Sequence, residues 1–224
     1  DQTVVFYKKA LSIKPDYAEA YYGISVALKE QGKLEEAIEV CNKALSIKPD
    51  FPEAYNNMGN ALQDQGKLDE AIDAFNKALA IKPDYAEPYY NMGNALRDQG
   101  KLEEAIEAYN RALTIEPGMD EVYNNIGIVL NYQGKLEKAI EAYNKALSFT
   151  PDNAKAWNNI YFPIQALKTQ IGSSEGLRVL YPKDGHSNYS QIAKSVLQYK
   201  LHRDQKNEER CLTQVLDLLS SADN

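Results

Sequence analysis

Asparagine recurs in one column of this sequence, at positions 34 residues apart. The column contains Asn57, Asn91, Asn125 and Asn159, and Gly23 occupies the same place earlier in the chain. An amide side chain carries both a hydrogen-bond donor and an acceptor, so it can hold the N–H and the C=O of one peptide unit. A column of amides along a groove would therefore bind the backbone of an extended polypeptide with little preference for its sequence. Hydrogen bonds between neighbouring units of the same chain would also explain the column, and this alternative stays open here.

Further side chains on the same helices could contact such a polypeptide. Asn60 and Asn94 each lie three residues after an asparagine of the column, on the same face of a helix. Tyr22 and Tyr90 directly precede the column positions in two of the units. We therefore predict a peptide-binding surface of amides with nearby aromatic rings.

Acidic residues also flank the column, namely Glu53, Glu87, Glu121, Asp64 and Asp98. If these carboxylates line the groove, its electrostatic field is negative and favours a basic or neutral extended segment. The alternative is that they form an ordinary solvated acidic face.

The histidines and cysteines of this sequence do not indicate a catalytic site. The chain has two histidines, His186 and His202, and neither lies near an evident acid–base partner. Cys41 and Cys211 both fall on apolar stripes, where a thiol usually packs as a small hydrophobic group. We therefore predict a protein that is not an enzyme, with no cofactor and no metal site.

Composition restricts the class of protein further. The chain has 224 residues, of which 44% are hydrophobic, and a net charge of −7. This hydrophobic content disfavours disorder, and the negative charge disfavours a nucleic-acid partner. No apolar run approaches the roughly 18 residues that cross a bilayer. We expect no membrane partner and a cytoplasmic location.

The elements that must position these residues form a repeat. Five prolines are spaced 34 residues apart: Pro15, Pro49, Pro83, Pro117 and Pro151. Apolar spacing within each unit predicts two helices, such as those in 52–65 and 68–82. In that unit we expect Asp50 to cap the first helix, Pro52 to occupy its first turn and Gly66 to end it with a positive φ.

Small and large residues alternate between the two predicted helices. One small-residue column in the first helix contains Gly59, Gly93 and Gly127. A column in the second helix fills the space that such small residues leave. It contains Tyr7, Cys41, Phe75, Tyr109 and Tyr143. This alternation predicts dense packing within each helix pair.

The motif resembles the tetratricopeptide repeat (TPR), a helix–turn–helix of 34 residues. The family's bulky residue, its Leu-Gly pair and its proline correspond to Tyr55, Met58-Gly59 and Pro83. The resemblance implies an all-α, right-handed superhelical solenoid whose concave face is lined by the first helices. The asparagine spacing resembles the ladder in the TPR region of O-linked N-acetylglucosamine transferase.

The repeat pattern predicts the domain organisation. Residues 1–17 match only the second helix of an incomplete repeat, so we expect the chain to be cut from a longer protein. The predicted full repeats are 18–51, 52–85, 86–119 and 120–153. Residues 154–224 are predicted to contain one repeat-like helix, which Pro163 enters where the repeat pattern breaks, and then a C-terminal helical cap. That cap would include helices around 189–203 and 206–220, and a linker into a further domain is the alternative.

These observations favour a non-catalytic protein–protein interaction scaffold that binds an extended polypeptide segment in its concave groove. The alternative is the N-terminal docking region of a larger enzyme, such as a transferase, with its catalytic domain beyond residue 224. Self-association through the solenoid ends is a further possibility.

Overall fold

The computed structural model describes residues 2–170, apart from the side chains at 164, 165 and 167–170. Ten α-helices and no strands lie in this part of the chain. They are α1 Gln2–Ile13, α2 Ala18–Glu30, α3 Leu34–Ile47, α4 Pro52–Asp64, α5 Leu68–Ile81, α6 Ala86–Asp98, α7 Leu102–Ile115, α8 Asp120–Tyr132, α9 Leu136–Phe149 and α10 Ala154–Gln170. The all-α fold class and the predicted helix pairs are therefore confirmed.

The chain divides into two compact units, Asp1–Pro117 and Gly118–Asn224. The first unit contains α1 and three helical hairpins, α2–α3, α4–α5 and α6–α7. In the second unit, α8 and α9 form a hairpin and α10 packs against both. Each hairpin falls within one of the predicted repeats, whose boundaries stay a prediction.

Packing, rather than a side-chain cap, fixes the start of α4. Pro52 occupies the first turn, as expected, but the residue at the N-cap is Phe51 and no side chain caps the helix. The prediction of an Asp50 cap was therefore wrong. Phe51 is buried, with its ring centroid 5.2 Å from that of Tyr22. Burial of this ring sets the entry of the chain into the helix.

Gly66 ends α4 in the way that the sequence predicts. Its φ is +77°, a region that side-chain-bearing residues rarely adopt. The Gly66 amide donates to the Gln63 carbonyl at 2.8 Å, and the Lys67 amide donates to the Leu62 carbonyl at 2.9 Å. This pair of hydrogen bonds is the Schellman motif, which turns the chain into the next helix.

The predicted small–large packing holds the two helices of each hairpin together. A Cβ added at Gly59 would lie 2.5 Å from Cε1 of the buried Phe75 ring, so these helices approach as closely as glycine allows. The Gly93–Tyr109 and Gly127–Tyr143 pairs repeat this contact. In the α2–α3 hairpin the pair is instead Ser25 and Cys41, both fully buried. A larger first-helix residue thus accompanies a smaller second-helix residue.

Helix α10 departs from the repeat in two ways. It continues through Pro163 to Gln170, so the proline lies inside the helix as the sequence predicts. Tyr161, on the same helix, occupies the place that glycine holds in the earlier first helices. The predicted helices around 189–203 and 206–220, His186, His202 and Cys211 lie outside the described residues.

Candidate functional site

The first helices of the Asp1–Pro117 unit lie side by side. Helix α2 contacts α4 and α4 contacts α6, whereas the second helices α3, α5 and α7 approach one another less closely. The row of first helices therefore forms the inner side of this unit. We call its polar and aromatic side chains that are partly or fully exposed the inner face, which contains Tyr22, Glu53, Asn60, Glu87, Tyr90 and Asn94.

A hydrogen-bond network joins α4 to α6 beneath the inner face. The Asn91 amide nitrogen donates to Asn56 Oδ1 at 3.0 Å, and the Asn56 amide nitrogen donates to Glu87 Oε1 at 3.0 Å. The Tyr85 hydroxyl donates to the other Glu87 oxygen at 3.1 Å. Asn56 is only 4% exposed, so these bonds satisfy an amide that burial would otherwise destabilise. The network fixes both oxygens of the Glu87 carboxylate.

The other asparagines of the predicted ladder also bond within the chain. Asn57 is buried, and its amide nitrogen donates to Ser25 Oγ at 2.9 Å and to Cys41 Sγ at 3.5 Å. In the second unit, Asn159 donates to Asn124 Oδ1 at 3.0 Å, which repeats the Asn91–Asn56 geometry. Asn124 in turn donates to Asn125 Oδ1 at 3.4 Å. The amide nitrogens of Asn57, Asn91 and Asn159 thus bond to the preceding helix pair, while the peptide-binding role of the ladder stays a prediction.

The amides three residues further along reach the inner face more directly. Asn60 and Asn94 are both partly exposed. Asn94 Oδ1 accepts a 2.7 Å hydrogen bond from the Tyr109 hydroxyl. At the equivalent position Phe75 has no hydroxyl, and Asn60 makes no side-chain hydrogen bond to any residue that the structure describes. Asn60 therefore presents the more available of the two amides.

Two aromatic rings frame the inner face. Tyr22, on α2, is half-buried against Phe51 at the start of α4. Tyr90 lies with its ring centroid 6.2 Å from that of Tyr109. Both rings are partly exposed on the inner face, and their predicted contact with a bound polypeptide stays a prediction.

Charge on the inner face is negative and unevenly compensated. The Asp98 carboxylate is paired, because Arg97 donates to it from Nε at 3.0 Å and from Nη2 at 2.8 Å. Glu53 and Glu87 form no ion pair with any residue in the described part of the chain. The pKa of Tyr22 is raised, first by burial and then by the negative charges of Glu87 and Glu53. The pKa of Tyr85 is raised by the same causes, with Glu87 the nearest charge.

Family models described as tetratricopeptide repeat match residues 50–118, 84–152 and 6–39, and one described as TPR repeat matches 26–66. The chain belongs to the tetratricopeptide repeat family. No curated protein gives a significant match.

Solved TPR structures share this fold. A crystal structure of MamA is 30% identical over 68% of this chain and 89% of its own, with a TM-score of 0.61. YrrB, described as a TPR protein with an unusual peptide-binding site, is 22% identical over 84% of this chain and 97% of its own, with a TM-score of 0.60. A thermophilic TPR protein of Thermus thermophilus, TTC0263, is 20% identical over 72% of this chain and 89% of its own, with a TM-score of 0.62. The last two likenesses concern the fold alone.

The sequence pattern did not predict the roles of three residues at this candidate site. The role of Asn56 and Asn124 as acceptors from the next first helix was not predicted. Tyr85, whose hydroxyl holds Glu87, was not predicted either. A signal was present for the first two, because each lies 35 residues before an asparagine of the ladder. The repeat period of 34 residues does not reveal this offset of 35.

No group of three or more His, Cys, Asp or Glu side chains in residues 2–170 is placed to hold a metal ion. None of the described helices combines the length and apolarity that a membrane span requires.

Proposed function

We propose that this TPR chain binds an extended segment of another polypeptide along the inner face and catalyses no reaction on it. The TPR scaffold is typical of protein–protein interaction. YrrB, which shares the fold, is described as having an unusual peptide-binding site. The observation that carries the proposal is the inner face itself. It combines the amides of Asn60 and Asn94 with the rings of Tyr22 and Tyr90 on adjacent first helices.

The contacts suit an extended chain better than a folded surface. Helices α4 and α6 present an amide at the same position, Asn60 and Asn94, so a segment lying across them meets a side-chain donor and acceptor at two successive repeats. The hydrogen bonds of Asn56, Asn57 and Asn91 tie the first helices together before any partner binds. A rigid face loses little conformational entropy on binding, which favours affinity for a flexible segment. The negative charge of the face favours a basic or neutral segment.

A screen of random-sequence synthetic peptides against the purified chain tests the proposal. The double variant Asn60→Ala/Asn94→Ala removes two inner-face amides. The matched control is Asn76→Ala/Asn110→Ala, which removes exposed asparagines at equivalent places on the second helices α5 and α7. We expect selected peptides to lose affinity for the first variant by roughly thirtyfold, because two amide hydrogen bonds at about 1 kcal/mol each amount to about 2 kcal/mol, and to bind the control as they bind wild type. Equal binding to both variants, or no peptide binding at all, would refute the proposal.

A further inference from the structure

One part of the inner face has two carboxylates that are not engaged in an ion pair with any described residue. Glu53 lies on α4 and Glu87 at the equivalent place on α6. Three acidic side chains of the same unit have a cationic partner: Glu19 pairs with Lys48 at 2.9 Å, Glu39 with Lys43 at 2.9 Å and Asp98 with Arg97 at 2.8 Å. No lysine or arginine among the described residues pairs with Glu53 or Glu87. The surface therefore retains negative charge that a ligand can neutralise.

The Glu87 carboxylate is also held in a fixed orientation. Asn56 and Tyr85 donate to its two oxygens at 3.0 and 3.1 Å, and both donors are neutral. Neutral donors orient a carboxylate without cancelling its charge, and each oxygen keeps acceptor capacity. A fixed, still charged carboxylate is suited to a charge-assisted hydrogen bond from an incoming cation.

An aromatic ring accompanies the two carboxylates. Tyr22, on the neighbouring helix α2, is half-buried, and the charges of Glu87 and Glu53 both act on its hydroxyl. Its ring packs at 5.2 Å from Phe51, which keeps it in place. The Lys48 ammonium lies 4.5 Å from the centroid of the Phe51 ring and forms its ion pair with Glu19, and the charge of Glu53 also acts on it. Aromatic faces attract cations, most strongly where water is partly excluded.

We propose that Glu53, Glu87 and the ring of Tyr22 form a pocket that receives one basic side chain, Lys or Arg, of the bound segment. The inference rests on the proposed function, because the pocket lies on the inner face where the segment binds. It adds the chemistry of one residue of the partner: a cation with an apolar stem, which the carboxylates neutralise and the ring covers. Backbone amide contacts alone would give no such selectivity.

The test compares peptides that differ in one charge. Peptides selected on the wild-type chain are resynthesised with each Lys replaced by norleucine and each Arg by citrulline. We expect one such replacement to weaken binding by roughly tenfold at low salt and the others to have little effect. Fluorescence anisotropy provides the dissociation constants.

Protein variants then assign the effect to the pocket. Glu53→Gln/Glu87→Gln keeps the side-chain shape, and Glu70→Gln/Glu104→Gln is the matched control on the second helices, with the same change of charge. We expect the first variant to bind the basic peptide as weakly as wild type binds its uncharged analogue, and the control to bind like wild type. The salt dependence of wild-type binding provides a second measurement that needs no variant. It should be steeper for the basic peptide than for its analogue.

The outcomes separate the two proposals. If peptides bind but show no dependence on a basic residue, or bind both glutamine variants equally, the pocket is refuted and the inner-face function stands. If no peptide binds the wild-type chain, the proposed function fails and the pocket fails with it.

Discussion

A side chain added at Gly59 would collide with Phe75. The Cβ of a serine at this position would lie 2.5 Å from Cε1 and 2.7 Å from Cδ1 of the ring. Carbon atoms in favourable contact lie about 3.5–4.0 Å apart. Phe75 is fully buried, so the ring cannot swing into solvent and the two helices must separate. We therefore predict that Gly59→Ser destabilises the α4–α5 hairpin.

The magnitude follows from two opposing effects. Overpacking of a close-packed core costs typically about 1–3 kcal/mol. Serine has a better helix propensity than glycine, which offsets roughly 0.5 kcal/mol of this cost. We expect a net loss of about 1–2 kcal/mol in the free energy of unfolding. The control is Gly118→Ser, because no heavy atom lies within 4 Å of the Cβ position at Gly118; it should change stability by less than about 0.5 kcal/mol.

The chain itself supplies a compensating pair. Ser25 and Cys41 occupy the places of Gly59 and Phe75 in the α2–α3 hairpin, and both are buried there. Phe75→Cys alone should cost about 3 kcal/mol or more, because it leaves a cavity. In the double variant Gly59→Ser/Phe75→Cys the serine enters that space, so the two costs should fall short of additivity by at least about 1 kcal/mol.

Urea unfolding followed by circular dichroism provides the four free energies of this cycle. A neutral or stabilising Gly59→Ser would show that the helices can separate freely. Strict additivity in the double variant would show that the two positions do not share one space. Either result would refute the packing argument.

Three further changes test other parts of the structure. Gly66→Ala adds a methyl group with no atom within 4 Å but at a φ of +77°, so conformational strain alone should cost about 1 kcal/mol in urea unfolding; no change would contradict this assignment. Asn56→Ala removes the acceptor of Asn91 and a donor to Glu87, and we expect a loss of about 1–3 kcal/mol in the same assay; a neutral effect would mean that solvent replaces the network. Burial raises the pKa of Tyr143, so the unfolded chain releases that proton first, and stability is fully present below the ordinary tyrosine pKa of about 10 and falls above it. Tyr143→Phe, which copies Phe75, should therefore lose less stability than wild type when unfolding is compared at neutral and strongly alkaline pH, and equal losses would contradict the assignment.

Much of the fold was predictable because it depends on spacing along the chain. The helix pairs, the positive φ of Gly66 and the contact between Gly59 and Phe75 all follow from residue size and period within one repeat. The Asp50 cap was predicted wrongly because local preference favoured a polar cap. Burial of Phe51 against the preceding repeat decided the position instead, and that contact is not local in sequence.

The site was predictable only in part. The sequence placed Asn60, Asn94, Tyr22 and Tyr90 on the first helices, where the structure has them on the inner face. It could not show which amides bond within the chain. Asn91 and Asn159 each donate to an asparagine 35 residues earlier. The residue 35 positions before Asn57 is Tyr22, which has no amide oxygen, and Asn57 donates instead to the buried Ser25.

By itself, the sequence determined the repeating helical hairpin and the small–large packing inside it. These features depend on period and volume, which are properties of short stretches of chain. Only the tertiary structure decided the hydrogen bonding between repeats, the orientation of Glu87 and the lack of an ion pair between Glu87 and any described residue. These features depend on distances between side chains about 31 to 35 residues apart. The asparagines that bond between repeats lie 35 residues apart, one more than the repeat period of 34. Only the packing of adjacent hairpins decides which of these two spacings brings side chains into contact.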